Sequence, residues 1–225
     1  MHLTDQYHYF LYFSKYWKKI IYDRIKPIIE KEELMPDHQF GFRDKHFMIK
    51  QMHRLINEII LALENKQYCT APFIDIEKAF DKINHKSLLQ TIRKQFPEQI
   101  YQLIKSYLSS RTLVIKIKLT LKLKTGVPQG SVLGPILYIL YTTNISTTTN
   151  SKILTFVDDT AILVRHINPE TAAKLLQEHI TKIEKWLQDK QLKANPNKCN
   201  HITFTLRKQI PPNILLNGTH ITQTN

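Results

Sequence analysis

Three aspartates stand where apolar runs of this 225-residue chain give out. Asp75 closes the run APFI in FIDIEKAFD, and Asp158-Asp159 separates ILTFV from TAILV. Adjacent carboxylates flanked by Ile, Leu, Phe and Val repel one another and lose solvation, so their placement is costly unless a cation neutralises them. Hard oxygen ligands with no companion His or Cys suit Mg²⁺, which binds through one or two carboxylates while substrate phosphates complete its octahedron. An Asp-Asp pair also serves as a plain hairpin turn, and the dipeptide alone is satisfied by that role.

The elements that must hold these acids are legible from periodicity. Residues 71–76 form a short apolar run ended by charge, and 153–157 and 160–164 are two more, so the acid pair is expected at the tip of a tight hairpin. Residues 16–33 look helical with an interruption at Pro27, and Met48, Met52, Leu55, Ile59 and Leu63 give a second helix an apolar stripe in which the methionines are read as core. Asn84 caps a helix over about 85–96, Pro97 restarts one carrying Ile100, Leu103, Ile104 and Tyr107, and Asn168-Pro169 open a long one with Ala172, Leu176, Ile180, Ile183 and Leu187 on one face. In TLVIKIKLTLKLK the apolar residues alternate strictly with Lys116, Lys118, Lys122 and Lys124, the pattern of a half-buried strand or hairpin. Taken by itself that lysine row reads first as a solvated sheet edge and second as a track for a phosphate backbone. Closing strands are expected at 201–206 and 214–221, the second bent at Asn217-Gly218. The mixture predicts an α+β fold, a sheet covered by helices.

Composition bounds the function. With 42% hydrophobic and 23% charged residues the chain is neither disordered nor low-complexity. Lys and Arg number 32 against 19 Asp and Glu, a net charge of +13 that favours a polyanionic partner, nucleic acid before anionic membrane. Two cysteines, Cys69 and Cys199, make neither a disulfide framework nor a zinc site and point to a reducing, intracellular compartment. The apolar run VLGPILYILY is too short to span a membrane, and YFLYF is too short for a secretory core, so secretion is not expected. Of only five glycines, three crowd into GVPQGSVLG, which marks a place where backbone must turn or something must approach closely.

FVDD after an apolar strand, FIDIEKAFD upstream and GVPQGSVLGPILY between them resemble three polymerase motifs in the order found in reverse transcriptases. HQFGFR, SYLSSR and NPNKC extend the resemblance to non-LTR (LINE-type) retrotransposons of the jockey group, from about Ser14 to the end. The resemblance implies the palm of a right-hand polymerase, an antiparallel sheet covered by helices, over 71–225 with partial fingers over 1–70, a fingers-like insertion at about 84–125, a primer-grip-like hairpin near 213–222, and no thumb. It implies RNA-directed DNA polymerisation, with an RNA template, a DNA primer and dNTPs as partners and two Mg²⁺ ions, for which Mn²⁺ could substitute. The ions would lie on Asp75, Asp158, Asp159 and the backbone of Ile76. It further assigns Phe80 to an aromatic gate against a ribose 2′-hydroxyl, Gln129 and Gly130 to support of the templating base and nucleotide, Lys198 to the departing pyrophosphate, Arg43 to template or triphosphate, and Leu215 and Gly218 to the primer grip. Nuclear localisation follows from the family alone.

The match breaks in places. The family's Arg-Pro-Ile-Ser stretch falls in register on Asp5-Gln6-Tyr7-His8, which puts a negative charge where a triphosphate would be met. Val157 stands where alanine is more usual, and Phe47-Met48 replace a Ser-Thr pair. Two readings result: a polymerase core, or a catalytically inactive transposon-derived remnant that binds RNA or RNA–DNA hybrid through its basic surface. A third takes the aromatic, basic N-terminus as a membrane-surface helix and leaves GVPQGSVLG unexplained. An endonuclease and a thumb would have to be supplied by another part of the element.

Overall fold

The helical stripes and alternating runs settle, in chain order, into α1 (Leu3–Lys31), α2 (Met48–Glu64), β1 (Tyr68–Ile74), α3 (His85–Gln95), α4 (Glu98–Ser109), β2 (Thr112–Ile115) and β3 (Leu119–Lys122). There follow α5 (Leu133–Thr142), β4 (Lys152–Phe156), β5 (Asp159–His166), α6 (Pro169–Asp189), β6 (Asn200–Phe204), β7 (Leu215–Leu216), β8 (Thr219–His220) and β9 (Thr222–Thr224). The computed structural model describes residues 3–41, 48–109, 112–115, 119–128 and 130–224, and side chains from residue 16 onward except along 112–115 and 119–122. The chain divides into two units, Met1–Pro36 with Phe80–Thr143, and Asp37–Ala79 with Asn144–Asn225.

The first unit is mostly helical. Asn84 Oδ1 accepts the Ser87 N–H at 3.1 Å and starts α3, which buries Leu88 and Ile92, while α4 buries Ile100, Ile104 and Leu108. The α5 sequence LGPILYILYT is apolar all round and accordingly buried almost throughout. Contrary to expectation, α1 runs through Pro27, which removes one ladder hydrogen bond. Burial of Ile21, Ile25 and Ile29 at four-residue spacing keeps the helix continuous. The lysine-rich stretch is a hairpin, with β2 pairing β3 from Thr112↔Lys122 to Ile115↔Leu119. Gly126, at φ +83°, lies so near Asp81 that a Cβ would meet its backbone at 3.0 Å, which fixes a glycine there.

The second unit is built on a sheet of order β4-β5-β1-β6-β9. Its first four strands pair antiparallel, but β9 lies parallel to β6, so the sheet is mixed where an antiparallel one was expected. One face carries Cys69, Ala71, Leu154, Ala161 and Leu163 against Leu55 and Ala62 of α2. The other is covered by α6, whose predicted stripe of Ala172, Leu176, Ile180, Ile183 and Leu187 is buried. On that face of β6, His201 is fully buried with neither ring nitrogen hydrogen-bonded, and the hydroxyls of Thr70 and Thr203 are likewise unpartnered.

The α2 stripe is corrected by one position. Its buried residues are Gln51, Leu55, Glu58 and Ala62, whereas Met48 and Met52 are 55% and 47% exposed. Polar residues take the inner face because each finds partners there. Gln51 Nε2 donates to the carbonyls of His38 and Thr155 at 3.1 and 3.2 Å, and Glu58 pairs with Lys152 at 2.5 Å and Arg165 at 3.2 Å. Arg165→Met, which leaves the buried Glu58 carboxylate with one solvent-exposed partner, is expected to cost about 1–3 kcal/mol, and Lys152→Met under about 1 kcal/mol. Urea midpoints of the two variants check the order; equal losses would show that burial of the arginine adds nothing.

Candidate active site

Antiparallel pairing delivers the three acids to one end of the sheet. β1 meets β5 as Phe73↔Ala161 and Ile74↔Thr160, so one further step along the register sets Asp75 across from Asp159, the first residue of β5. The Asp75 backbone is fixed on both sides. Its carbonyl accepts the Asn195 N–H at 2.9 Å, and its own N–H donates to Cys199 Sγ at 3.4 Å. Asn195 also accepts the N–H groups of Lys198 and Cys199 at 3.0 and 3.1 Å, so the NPNKC motif is a knot tied around Asp75. Cys199 and Cys69 are buried free thiols; burial raises both, Cys69 to about 12, which makes them structural and not nucleophilic. Ile76 bridges Ala194, but the flanking bonds are made by Asp75 and Glu77, so its own carbonyl is not engaged by that bridge.

The hairpin between β4 and β5 turns on Val157-Asp158, one residue earlier than the sequence predicts, because Phe156 pairs with Asp159. Val157 has φ +60°, a value glycine would hold freely in the first position of a II′-type turn and a β-branched residue holds at about 1–3 kcal/mol. Residues 38–40 run alongside, with Thr155 N donating to His38 O at 2.9 Å and Phe40 N to Thr155 O at 3.1 Å.

The carboxylates sense one another. The Asp159 carboxyl is pushed above the usual range by burial first, then by the negative charges of Asp158 and Asp75. Among the described residues no three His, Cys, Asp or Glu side chains are gathered closely enough to form a metal-binding group by themselves. Beside the acids opens a cavity of about 320 Å³ with walls from Met48, Met52, Phe73 and Phe156 and with Asp75, Asp159 and Lys198 at its edge. Lys198, on the exposed turn Pro196–Lys198, lines the same cavity as Asp75 and Asp159.

The other assigned residues belong to other elements. Phe80, in the first unit, is half-buried against Tyr138 with ring centroids 5.1 Å apart. Gly130 is exposed at φ +78°, and a Cβ there would meet nothing within 4 Å. Lys124 lines a cleft of about 590 Å³ with Lys86, Arg93 and Tyr101. Leu215 and Gly218 belong to the β7–β8 ribbon, where Asn217 and Gly218 have φ +51° and +76°, the two left-handed residues of an I′ turn. That ribbon is tied to α6 through Gln177, which exchanges hydrogen bonds with the Leu215 backbone at 2.8 and 3.0 Å. Arg43, Lys116, Lys118 and Gln129 lie outside the described residues, and Lys122 is described by its backbone only. Among the described helices, none is long and apolar enough to cross a membrane. Sequence reasoning missed Cys199 as the acceptor behind Asp75 and Gln39 as a partner of the Val157 turn. Both lie inside motifs it had singled out, NPNKC and HQFGFR.

Residues 8–220 match the family "Reverse transcriptase (RNA-dependent DNA polymerase)". The chain is 36% identical over 210 residues to the probable RNA-directed DNA polymerase from transposon BS of Drosophila melanogaster, a match covering 88% of this chain and 23% of that protein. It is 34% identical over 221 residues to the X-element enzyme of the same organism and 35% over 217 to the polymerase of mobile element jockey, covering 94% and 91% of this chain and 24% of each relative. The chain therefore spans about a quarter of the length of the curated relatives it matches. Among solved structures, telomerase from Candida tropicalis in complex with a telomeric RNA fragment superposes with a TM-score of 0.63 at 14% identity, over 97% of this chain and 38% of that one. The apo enzyme truncated from its C-terminal domain gives 0.59 at 17% identity, over 85% and 40%. At such identities these two attest the α+β, palm-like fold alone.

Proposed function

Since the chain belongs to the reverse transcriptase family, in a region homologous to the jockey, BS and X-element enzymes, we propose that it is a polymerase core that extends a DNA primer on an RNA template. The observation that carries this reading is the meeting of Asp75, Asp158 and Asp159 at one sheet end, where the Asp159 carboxyl is raised by burial first and then by the charges of the other two. A divalent cation relieves that repulsion, and the donors are hard oxygens with no nitrogen or sulfur among them, as Mg²⁺ requires. Mg²⁺ is ordinarily held by one or two carboxylates with substrate phosphates and water, so a three-ligand protein cage is not needed for the fit. Asp75 and Asp158 would hold the ions, with Asp159 and the Ile76 carbonyl beside them. When bound, the ions supply a lowered pKa at the primer hydroxyl and charge neutralisation at the triphosphate.

The chain's own groups do the rest. The knot of Asn195 and Cys199 fixes the direction of Asp75, and Lys198 at the cavity edge offers a cation, and a proton, to a leaving pyrophosphate. Phe80 would offer an aromatic face under the incoming sugar, and Gly130 bare backbone beneath the nucleotide or templating base. Arg43 and Gln129 would serve triphosphate and template, Leu215 and Gly218 the primer, and Lys124 with its neighbours the phosphate backbone.

Primer extension on RNA with dNTPs and Mg²⁺ tests the reading. Extension is expected, it should stop in chelator, and Phe80→Ala should admit ribonucleotides about tenfold or more readily. A folded protein that binds primer–template in a steeply salt-dependent way but never extends it would instead be the RNA-binding remnant.

A further inference from the structure

We infer that Gln39 is a positioning residue that holds the strained Val157 turn in the shape presenting Asp158 and Asp159. This inference rests on the polymerase reading for its consequence, though not for its geometry. Gln39 is 4% exposed, and its side-chain amide makes three hydrogen bonds, two accepted and one donated. Its Oε1 accepts the N–H of Val157 at 3.0 Å and that of Gly41 at 2.8 Å, and its Nε2 donates to the Val157 carbonyl at 3.3 Å. Both main-chain polar groups of Val157 are therefore held by one side chain from a segment far away in sequence.

The arrangement is specific to glutamine. A carboxylate of the same length keeps the two accepted bonds, loses the donated one, and adds a negative charge beside acids that already repel one another. An apolar side chain loses all three. Gly41 completes the fit, since a Cβ there would come within 2.5 Å of Val157 Cγ2 and 2.7 Å of its nitrogen. Val157 at φ +60° has no steric reason to stay in the left-handed region once the bonds are gone, and the following residue is Asp158.

The test compares the parent with Gln39→Met, Gln39→Glu and the double variant Gln39→Met/Val157→Gly, each checked for folding by circular dichroism. In Gln39→Met the Val157 and Gly41 amides should exchange with solvent at least about tenfold faster. Primer extension should fall about 10–100-fold in kcat with little change in KM for dNTP, because the acids are mis-aimed and not removed. Gln39→Glu should lie between parent and Gln39→Met in amide exchange, and it serves in place of Gln39→Met should that variant not fold. The double variant should regain most of the lost extension without regaining amide protection, because glycine holds φ +60° unaided. That rescue separates a hold on the turn from general support of the core. Unchanged exchange at Val157 would overturn the inference, as would an activity loss that Val157→Gly leaves unrepaired. If the parent itself extends no primer, the polymerase reading fails, and the clamp then stands or falls on exchange alone.

Discussion

Asp75→Asn is expected to unfold at a higher temperature than the parent in chelator and to extend primers about a thousandfold more slowly, or worse, in Mg²⁺. The two effects have one origin. Without a cation, the charge of Asp75 is one of the causes that raise the Asp159 carboxyl, so removing it relieves repulsion. A gain of about 1 kcal/mol, or about 2–4 °C in Tm, is the scale for partly solvated carboxylates. The asparagine is isosteric, and the ties to Asn195 and Cys199 run through the backbone, so the fold has no reason to suffer. The sign with pH follows from the raised Asp159 carboxyl. A carboxyl raised in the folded state weakens the fold above its folded pKa and ceases to do so below the ordinary carboxylate range. The advantage of Asp75→Asn should thus be present at pH 7 and fade under acid conditions. Mg²⁺ should stabilise the parent more than the variant, since on the proposed reading the variant lacks one of the carboxylates that would bind it. On the proposed reading, loss of a cation ligand would account for the activity, about 4 kcal/mol of transition-state stabilisation for a thousandfold. A variant destabilised in chelator, or one extending primers normally, would remove Asp75 from the site.

Much of this was legible because periodicity and motif agreed. The α6 cap at Asn168 and its stripe are local: a side-chain acceptor for the Thr171 N–H and apolar residues one turn apart. The acid hairpin was legible too, since two apolar runs with a two-residue break leave few alternatives. What the sequence hides is long-range satisfaction of polar groups. Gln51 and Glu58 sit on the buried face of α2 because carbonyls of residues 38 and 155 and cations of 152 and 165 reach them, and no count of spacings displays those partners. The same blindness misread Met48 and Met52 as core and passed over Gln39. The parallel β9 was hidden because its three residues, Thr-Gln-Thr, have no apolar alternation and join the sheet only through the edge of β6.

His201 is a case of long-range satisfaction that the fold does not supply, and its cost should appear as acid sensitivity. Burial lowers its imidazole from 6.5 to about 4, with neither nitrogen hydrogen-bonded. Between those values the unfolded chain takes up a proton that the folded chain refuses. The stability is therefore complete above about pH 6.5 and falls as pH drops toward 4, by roughly 3 kcal/mol for this group. His38 and His179 are lowered chiefly by burial and act in the same direction, while the raised Asp159 acts against them. His201→Leu removes the titrating group and two unpartnered polar atoms together, at similar volume. It should raise the urea midpoint at pH 7 and flatten most of the decline between pH 6.5 and 4. The register places Pro72 opposite position 201, and Thr70 opposite Thr203, so the leucine meets a proline ring and two hydroxyls that are already without partners. Nothing polar loses a bond by the exchange. A decline as steep in His201→Leu as in the parent would mean that the folded imidazole does accept the proton, and would move the origin of acid sensitivity to His38 and His179.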